Sequence, residues 1–135
     1  MPIPTDDPIA KLAQEVVDHV NAGSLDDGPL WDKHWHPDFV SVEGDGSEFR
    51  GRPAVEAKCK GWYDSMTVHS VKADGPYVTP DGFCVRYTVD VEAKDGSFPR
   101  MVMDEIGVYT VQDGKVVREA FFGRPMPACG CSCDC

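Results

Sequence analysis

Asp-Gly pairs break the second half of the chain at Pro80-Asp81-Gly82, Lys94-Asp95-Gly96 and Gln112-Asp113-Gly114. Asp-Gly tolerates the backbone of a tight hairpin, and the segments around these pairs alternate apolar and polar residues with the period of a strand. Those segments are Thr67 to Ala73, Phe83 to Ala93, Arg100 to Gln112 and Lys115 to Phe122. Turns so closely spaced commit this half of the chain to consecutive antiparallel strands.

The first half has a different period. From Pro8 to Asn21, the residues Ile9, Leu12, Ala13, Val16, Val17 and Val20 recur at helical spacing, with Asp6 or Asp7 as cap and Gly23 as stop. Pro29 to His36 reads as a short second helix ended by Pro37. A short strand, Phe39 to Glu43, then turns through Gly44-Asp45-Gly46 into Ser47 to Arg50. A third helix, Arg52 to Tyr63, carries Pro53 in its first turn and sets Val55, Cys59 and Trp62 on one side. Helices gathered first and strands afterwards predict an α+β fold in which the helices cover one face of a curved sheet. With 135 residues the chain has room for one domain, residues 1–123, followed by a Cys-rich tail, residues 124–135.

The net charge is −10, from 23 acids against 13 Lys and Arg spread along the chain. Such a surface repels phosphate backbones and anionic lipid, so neither nucleic acid nor membrane is an expected partner. The opening MPIPTDDPIAKL lacks the basic and apolar regions of a secretory leader, and the expected location is the cytoplasm. Cys59 and Cys84 lie in the body, while Cys129, Cys131, Cys133 and Cys135 crowd the end, which is no disulfide framework. The C-x-C-x-C-x-C tail is dense enough in thiols to take a soft metal, copper or zinc, although it lacks zinc-knuckle spacing. The domain itself is expected to need no cofactor.

The stretch HWHPDF raises the question of a metal site. On a helix, residues two apart point about 200° from each other, so His34 and His36 are not expected to share an ion. Trp31 and Trp35, one turn apart, are expected to plug the core. His19 and His69 read as solvated.

The two N-terminal helices, the strand ending in VEGDG, the GRPAV helix and the closing YTVQDGKVVREAFF pair resemble the nuclear-transport-factor-2-like superfamily, in particular its SnoaL-like and ketosteroid-isomerase-like members. The resemblance covers roughly residues 8 to 123. It implies a cone-like, strongly curved mixed sheet wrapped around the N-terminal helices, the cystatin-like roll, with a deep pocket and a homodimer as the common assembly. The fold hosts isomerases, polyketide cyclases, epoxide hydrolases, dehydratases and non-catalytic domains, so it does not name a reaction.

Set against the isomerases, Gly44 falls at the general-base position unless a small shift brings Glu43 or Asp45 there. Gly107 falls where they keep a protonated acid, and Val16 where they keep the oxyanion-binding tyrosine. The comparison therefore disfavours a steroid isomerase, whose dienolate would find no donor pair. Counting by twos from Gly107 puts Met101, Met103, Glu105 and Tyr109 on one face of the penultimate strand, and Val117, Glu119 and Phe121 on the same face of the last. On the Phe83 strand the inward set is Phe83, Val85, Tyr87 and Val89.

The expectation is an apolar pocket for a small organic molecule. Trp35, Tyr63, Tyr87, Met103, Tyr109 and Phe121 would line it, with Glu105 and Glu119 as exchangeable proton carriers and Glu43 and Asp45 as further candidates. Burial and a like neighbour should lift one carboxyl well above its usual value, as general acid-base catalysis near neutral pH requires. The chemistry would be isomerisation, cyclisation, dehydration or hydrolysis. The alternative is a non-catalytic ligand-binding or dimerisation domain whose thiol tail holds metal.

Overall fold

The computed structural model describes residues 7–123, so the four tail cysteines lie outside the described residues. Helix α1 spans Pro8–Asn21, and the Asp7 side chain caps it by accepting from the Ala10 N–H at 3.0 Å. Its buried stripe, Leu12, Ala13, Val16 and Val17, packs on the sheet. From its last turn the Asn21 amide both accepts from Ala73 N–H (2.8 Å) and donates to Ala73 C=O (3.0 Å), fastening the helix end to an edge strand.

Helix α2 spans Gly28–His34 and is followed directly by β1, Trp35–Val42. The sequence reading carried this helix to His36 and began the strand at Phe39. Proline disfavours the helical region for the residue before it, so His36 is extended and the strand starts early. Trp35 then pairs with Val116 and is buried as a strand residue, although the sequence reading placed it on a helix. Pro37 is tolerated because the β1–β6 register shifts between Trp35 and Val40, where no ladder donor is required.

Strand β2 (Glu48–Arg50) leads through Gly51, φ +85°, into α3 (Arg52–Ser65), which buries Val55. Strands β3 (Met66–Thr79), β4 (Gly82–Ala93), β5 (Met101–Gln112) and β6 (Lys115–Gly123) complete the chain. β3 runs six residues past its expected end at Ala73. Gly75-Pro76 looks like a turn in sequence, but at the sheet edge it is absorbed as a register shift between Asp74 and Tyr77.

The Asp-Gly pairs do different work. Asp113 and Gly114 both have positive φ, 51° and 78°, as a two-residue hairpin turn requires. At the β3–β4 turn Thr79 pairs with Gly82, so Gly82 is already a strand residue, and a Cβ there would stand 2.0 Å from the Tyr109 carbonyl oxygen. This glycine serves the close approach of β4 to β5.

The six strands form one curled, unclosed mixed sheet in the order β2-β1-β6-β5-β4-β3, with β1 parallel to β6 and the other neighbours antiparallel. The core lies on the face that the helices cover, with Phe39, Val55, Phe83, Val85, Val91 and Val116 essentially sealed from solvent. A bulge corrects one inward assignment: Val111 pairs with Val116 while Thr110 pairs with Arg118, which leaves Val117 as the extra residue. Val116 thus takes the core position expected of Val117, and parity is regained at Glu119. Among the described residues no helix is long and apolar enough to cross a membrane.

Candidate active site

Between the helices and the curled sheet lies a cavity of about 550 Å³, the size of a small-molecule site. Its walls are mostly apolar and aromatic, including Trp31, Phe49, Trp62, Val89, Met103 and Phe121. Among the described residues its charged groups are Asp27, Glu43, Lys58, Glu105 and Glu119, joined by the phenols of Tyr63, Tyr87 and Tyr109 and by Ser24 and Ser65.

Sheet register explains why they meet. Across β1, β6, β5 and β4, Ser41 pairs with Glu119, Glu119 with Tyr109, and Tyr109 with Phe83. Four residues along, on the same face, Glu105 stands opposite Tyr87.

Glu119 is nearly sealed, with 5% exposure, and both its oxygens are occupied. Trp35 Nε1–H donates to Oε1 at 2.8 Å and the Ser41 hydroxyl donates to Oε2 at 2.9 Å. Lys58 Nζ, reaching in from α3, donates to Ser41 Oγ at 2.9 Å and pairs with Glu43. Burial pushes the Glu119 carboxyl upward; the two donors and Lys58 oppose this without cancelling it. The row Trp35–Glu119–Ser41–Lys58–Glu43 is a satisfied network tying β1, β6 and α3 together.

Glu105 is the contrast. It lines the same cavity half-buried, and among the described residues it has no hydrogen-bond or ion-pair partner. Burial lifts its carboxyl to about 7, with Glu43 and then Glu119 adding to the rise and Lys58 opposing it. It can gain and lose a proton near neutral pH.

The Tyr87 and Tyr109 hydroxyls are hydrogen-bonded to each other. Only one O–H is used in that bond, so the accepting phenol keeps a hydrogen with no protein acceptor among the described residues. Burial pushes both phenols far upward, so they remain protonated donors. Gly107 makes the pair possible, because a Cβ there would lie 2.9 Å from the Tyr109 hydroxyl and 3.0 Å from Tyr87 Cε2. No donor pair was expected at the isomerase positions; the structure sets the Tyr87–Tyr109 hydroxyl pair beside Gly107.

Glu43, Glu105, Glu119, Trp35, Tyr63, Tyr87, Met103, Tyr109 and Phe121 are all brought to this cavity. Asp45 is not: it is exposed in the β1–β2 turn, where its own Oδ1 accepts from Ser47 N–H at 2.9 Å and that bond holds its carboxyl below the usual range. His34 Nε2 meets Glu15 at 2.7 Å, whereas His36 Nδ1 accepts from Asp38 N–H at 3.0 Å, so the two imidazoles serve different partners.

Three site residues escaped the sequence reading. Ser41 and Lys58 gain their roles only when β1, β6 and α3 meet. Asp27, before α2, reads as a cap, yet it makes no side-chain cap bond and lines the cavity mouth. Burial lifts its carboxyl to about 6, against a downward pull from His19 at 3.6 Å and an upward push from Asp26. Its side chain is still 45% exposed, so water softens that rise. His19 was expected to be solvated; its side chain is only 18% exposed, held by the Asp26 carbonyl at 2.8 Å.

A curled mixed sheet closed by helices over an acid-bearing cavity defines an NTF2-like α+β protein. Residues 13–123 match the model of the SnoaL-like domain, and the chain belongs to that family. Among solved structures it is similar to a candidate SnoaL-like polyketide cyclase, also labelled a carbohydrate phosphatase, from Mesorhizobium loti. That protein shows 32% identity over 84% of this chain and 97% of the other, with a TM-score of 0.76. A candidate SnoaL-like polyketide cyclase from Jannaschia sp. CCS1 shares the fold at 16% identity, covering 91% and 90% of the two chains with a TM-score of 0.71. An NTF2-like protein of unknown function from Burkholderia pseudomallei does so at 15% identity, 87% and 92% coverage and a TM-score of 0.71. No curated protein matches the chain.

Proposed function

We propose that the protein is a cofactor-independent enzyme of the cytoplasm that moves a proton on a small organic molecule held in the cavity, in an isomerisation or an aldol-type cyclisation. The observation that carries this reading is Glu105, a carboxyl without a partner among the described residues, raised to about 7 and open to an apolar cavity. Its carboxylate removes a proton from carbon beside a carbonyl and, once protonated, returns it elsewhere on the substrate. General base catalysis of this kind contributes about 10²–10⁴-fold. The oxygen that gains charge accepts the free O–H of the Tyr87–Tyr109 pair, a donor already in place before reaction. Glu119, with both oxygens engaged, holds the strand and leaves the moving proton to Glu105.

The similarity to a candidate polyketide cyclase favours carbon-acid chemistry. The phosphatase label on the same relative fits this site less well, because Lys58, the one cation lining the cavity among the described residues, is committed to Glu43 and Ser41. We also propose that two copies pair through the outer face of the sheet, where Val102, Ile106 and Phe122 are 64%, 46% and 58% exposed and Ile106 lies opposite Phe122.

Hydrogen-deuterium exchange into a panel of small ketones and β-dicarbonyls in D₂O tests the chemistry without knowledge of the product. Exchange should be catalysed by the native chain and fall about 100-fold or more in Glu105→Gln. Exchange that survives that substitution refutes the reading.

A further inference from the structure

The charge around the cavity is one-sided. Among the described residues its walls carry Asp27, Glu43, Glu105 and Glu119 against Lys58 alone. The groove at its mouth adds Asp26, Asp32 and Glu56 against Arg52. Both cations are spoken for: Lys58 pairs with Glu43, and Arg52 bridges Asp32 and Glu56 at 2.5 Å each. His19, beside Asp27, is the remaining group there that can become positive. Of the other carboxylates, none with a Lys or Arg ion pair among the described residues, Glu119 is held by Trp35 and Ser41 and Asp26 accepts from Gly28 N–H, which leaves Asp27 and Glu105 to meet a ligand.

The aromatic rings repeat the pattern. Lys58 already lies over Phe49 and Phe121, 5.3 and 5.7 Å from their centroids, and Arg52 lies 5.6 Å from that of Trp31. Trp62 and Tyr63, packed edge to face at 5.1 Å, have no cation of their own among the described residues. Tyr63 lines the cavity together with Asp27 and Glu105, and lines the groove at its mouth together with Asp27.

A concave site walled by one sign of charge and by low-dielectric rings concentrates the potential and draws ligands of the opposite sign. Ring faces add a preference for soft organic cations over metal ions. We propose that the substrate carries a positive charge, an ammonium or another organic cation, which settles beside Tyr63 with Asp27 as its chief counter-charge, and that the site rejects carboxylates, sulfonates and phosphates. The inference rests on this cavity being the substrate site, as the proposed function requires. It explains why a carboxylate stands at the mouth without capping the helix it precedes.

The probe is benzyltrimethylammonium, compared with neopentylbenzene, its neutral carbon isostere, and with phenylmethanesulfonate. Binding to the full chain is read from the fluorescence of Trp31, Trp35 and Trp62, all of which line the cavity. The cation should bind about tenfold more tightly than the neutral isostere, and the sulfonate should not compete. The preference should shrink with salt, fall severalfold in Asp27→Asn and vanish in Asp27→Asn/Glu105→Gln. Cation affinity should rise with pH as Asp27 and then Glu105 ionise, at about 6 and about 7, while the neutral probe follows no such rise. His19 is the imidazole beside Asp27, and a His19→Gln variant that keeps the rise assigns it to the carboxyls. Equal affinity for cation and isostere, affinity that falls with pH, or a preference untouched by the double substitution overturns the proposal. These outcomes leave the exchange chemistry of Glu105 standing, whereas exchange that survives Glu105→Gln with the preference intact refutes only the catalytic reading.

Discussion

At the scale of single residues, three glutamates in one cavity are set apart by what surrounds each. Glu119 has a donor on each oxygen, Glu43 has Lys58, and Glu105 has neither. This difference reaches stability. The folded-state value of Glu105 is about 7 against an ordinary 4.5, so ionising it opposes folding: the penalty begins above 4.5 and is complete above about 7. Glu105→Gln should therefore stabilise the protein by on the order of 1–2 kcal/mol at pH 8, with a gain that shrinks towards pH 4. Denaturant melts of both proteins across that range check the sign. Trp35→Phe keeps an aromatic ring but trims the buried indole and removes its N–H, leaving Glu119 Oε1 short of a donor, at a cost of about 1–3 kcal/mol for the lost bond and more for the cavity. Period-two reading found Glu105 and Glu119 because an inward residue on a strand follows from parity. It missed Lys58 and Ser41 because nothing local distinguishes a helix lysine that faces solvent from one that meets a strand.

At the scale of elements, the boundaries that sequence misjudged lie where one local rule displaced another. Pro37 stops a helix in sequence, but its restriction on His36 reaches back and starts β1 at Trp35, and that places the indole N–H on Glu119. The Val117 bulge had no sequence signal, since Val116 and Val117 are chemically alike and only pairing with β5 chooses between them. Glycines give the sharpest test of the elements as built. Gly82→Ala drives a methyl into the Tyr109 carbonyl and should cost about 3 kcal/mol or more, with loss of β4–β5 pairing. Gly61, inside α3, has nothing within 4 Å of a new Cβ, so Gly61→Ala should stabilise by about 0.5–1 kcal/mol. Thermal melts of the two variants should shift in opposite directions.

For the whole molecule, the curled sheet was legible from its turns and from helices preceding strands, but its outer surface was not. That surface carries Val102, Ile106 and Phe122 in the open, a poor arrangement for a lone acidic domain and a good one for a second copy. Light scattering should give a dimer burying about 1,200 Å² or more, and Ile106→Glu should yield monomers. A native chain that is monomeric at micromolar concentration rejects this assembly.

The parallel pairing of β1 with β6 joins strands whose residues, Ser41 and Glu119 for instance, lie 78 positions apart. A ribosome therefore releases Trp35 and Ser41 long before their carboxylate exists. Until β6 emerges, β1 has only the three-residue β2 beside it, and its inner edge is an open template for any passing strand. The interval between the synthesis of β1 and that of β6 is thus when this chain is most exposed to aggregation and most in need of a chaperone, and pausing translation just before Lys115 would lengthen it.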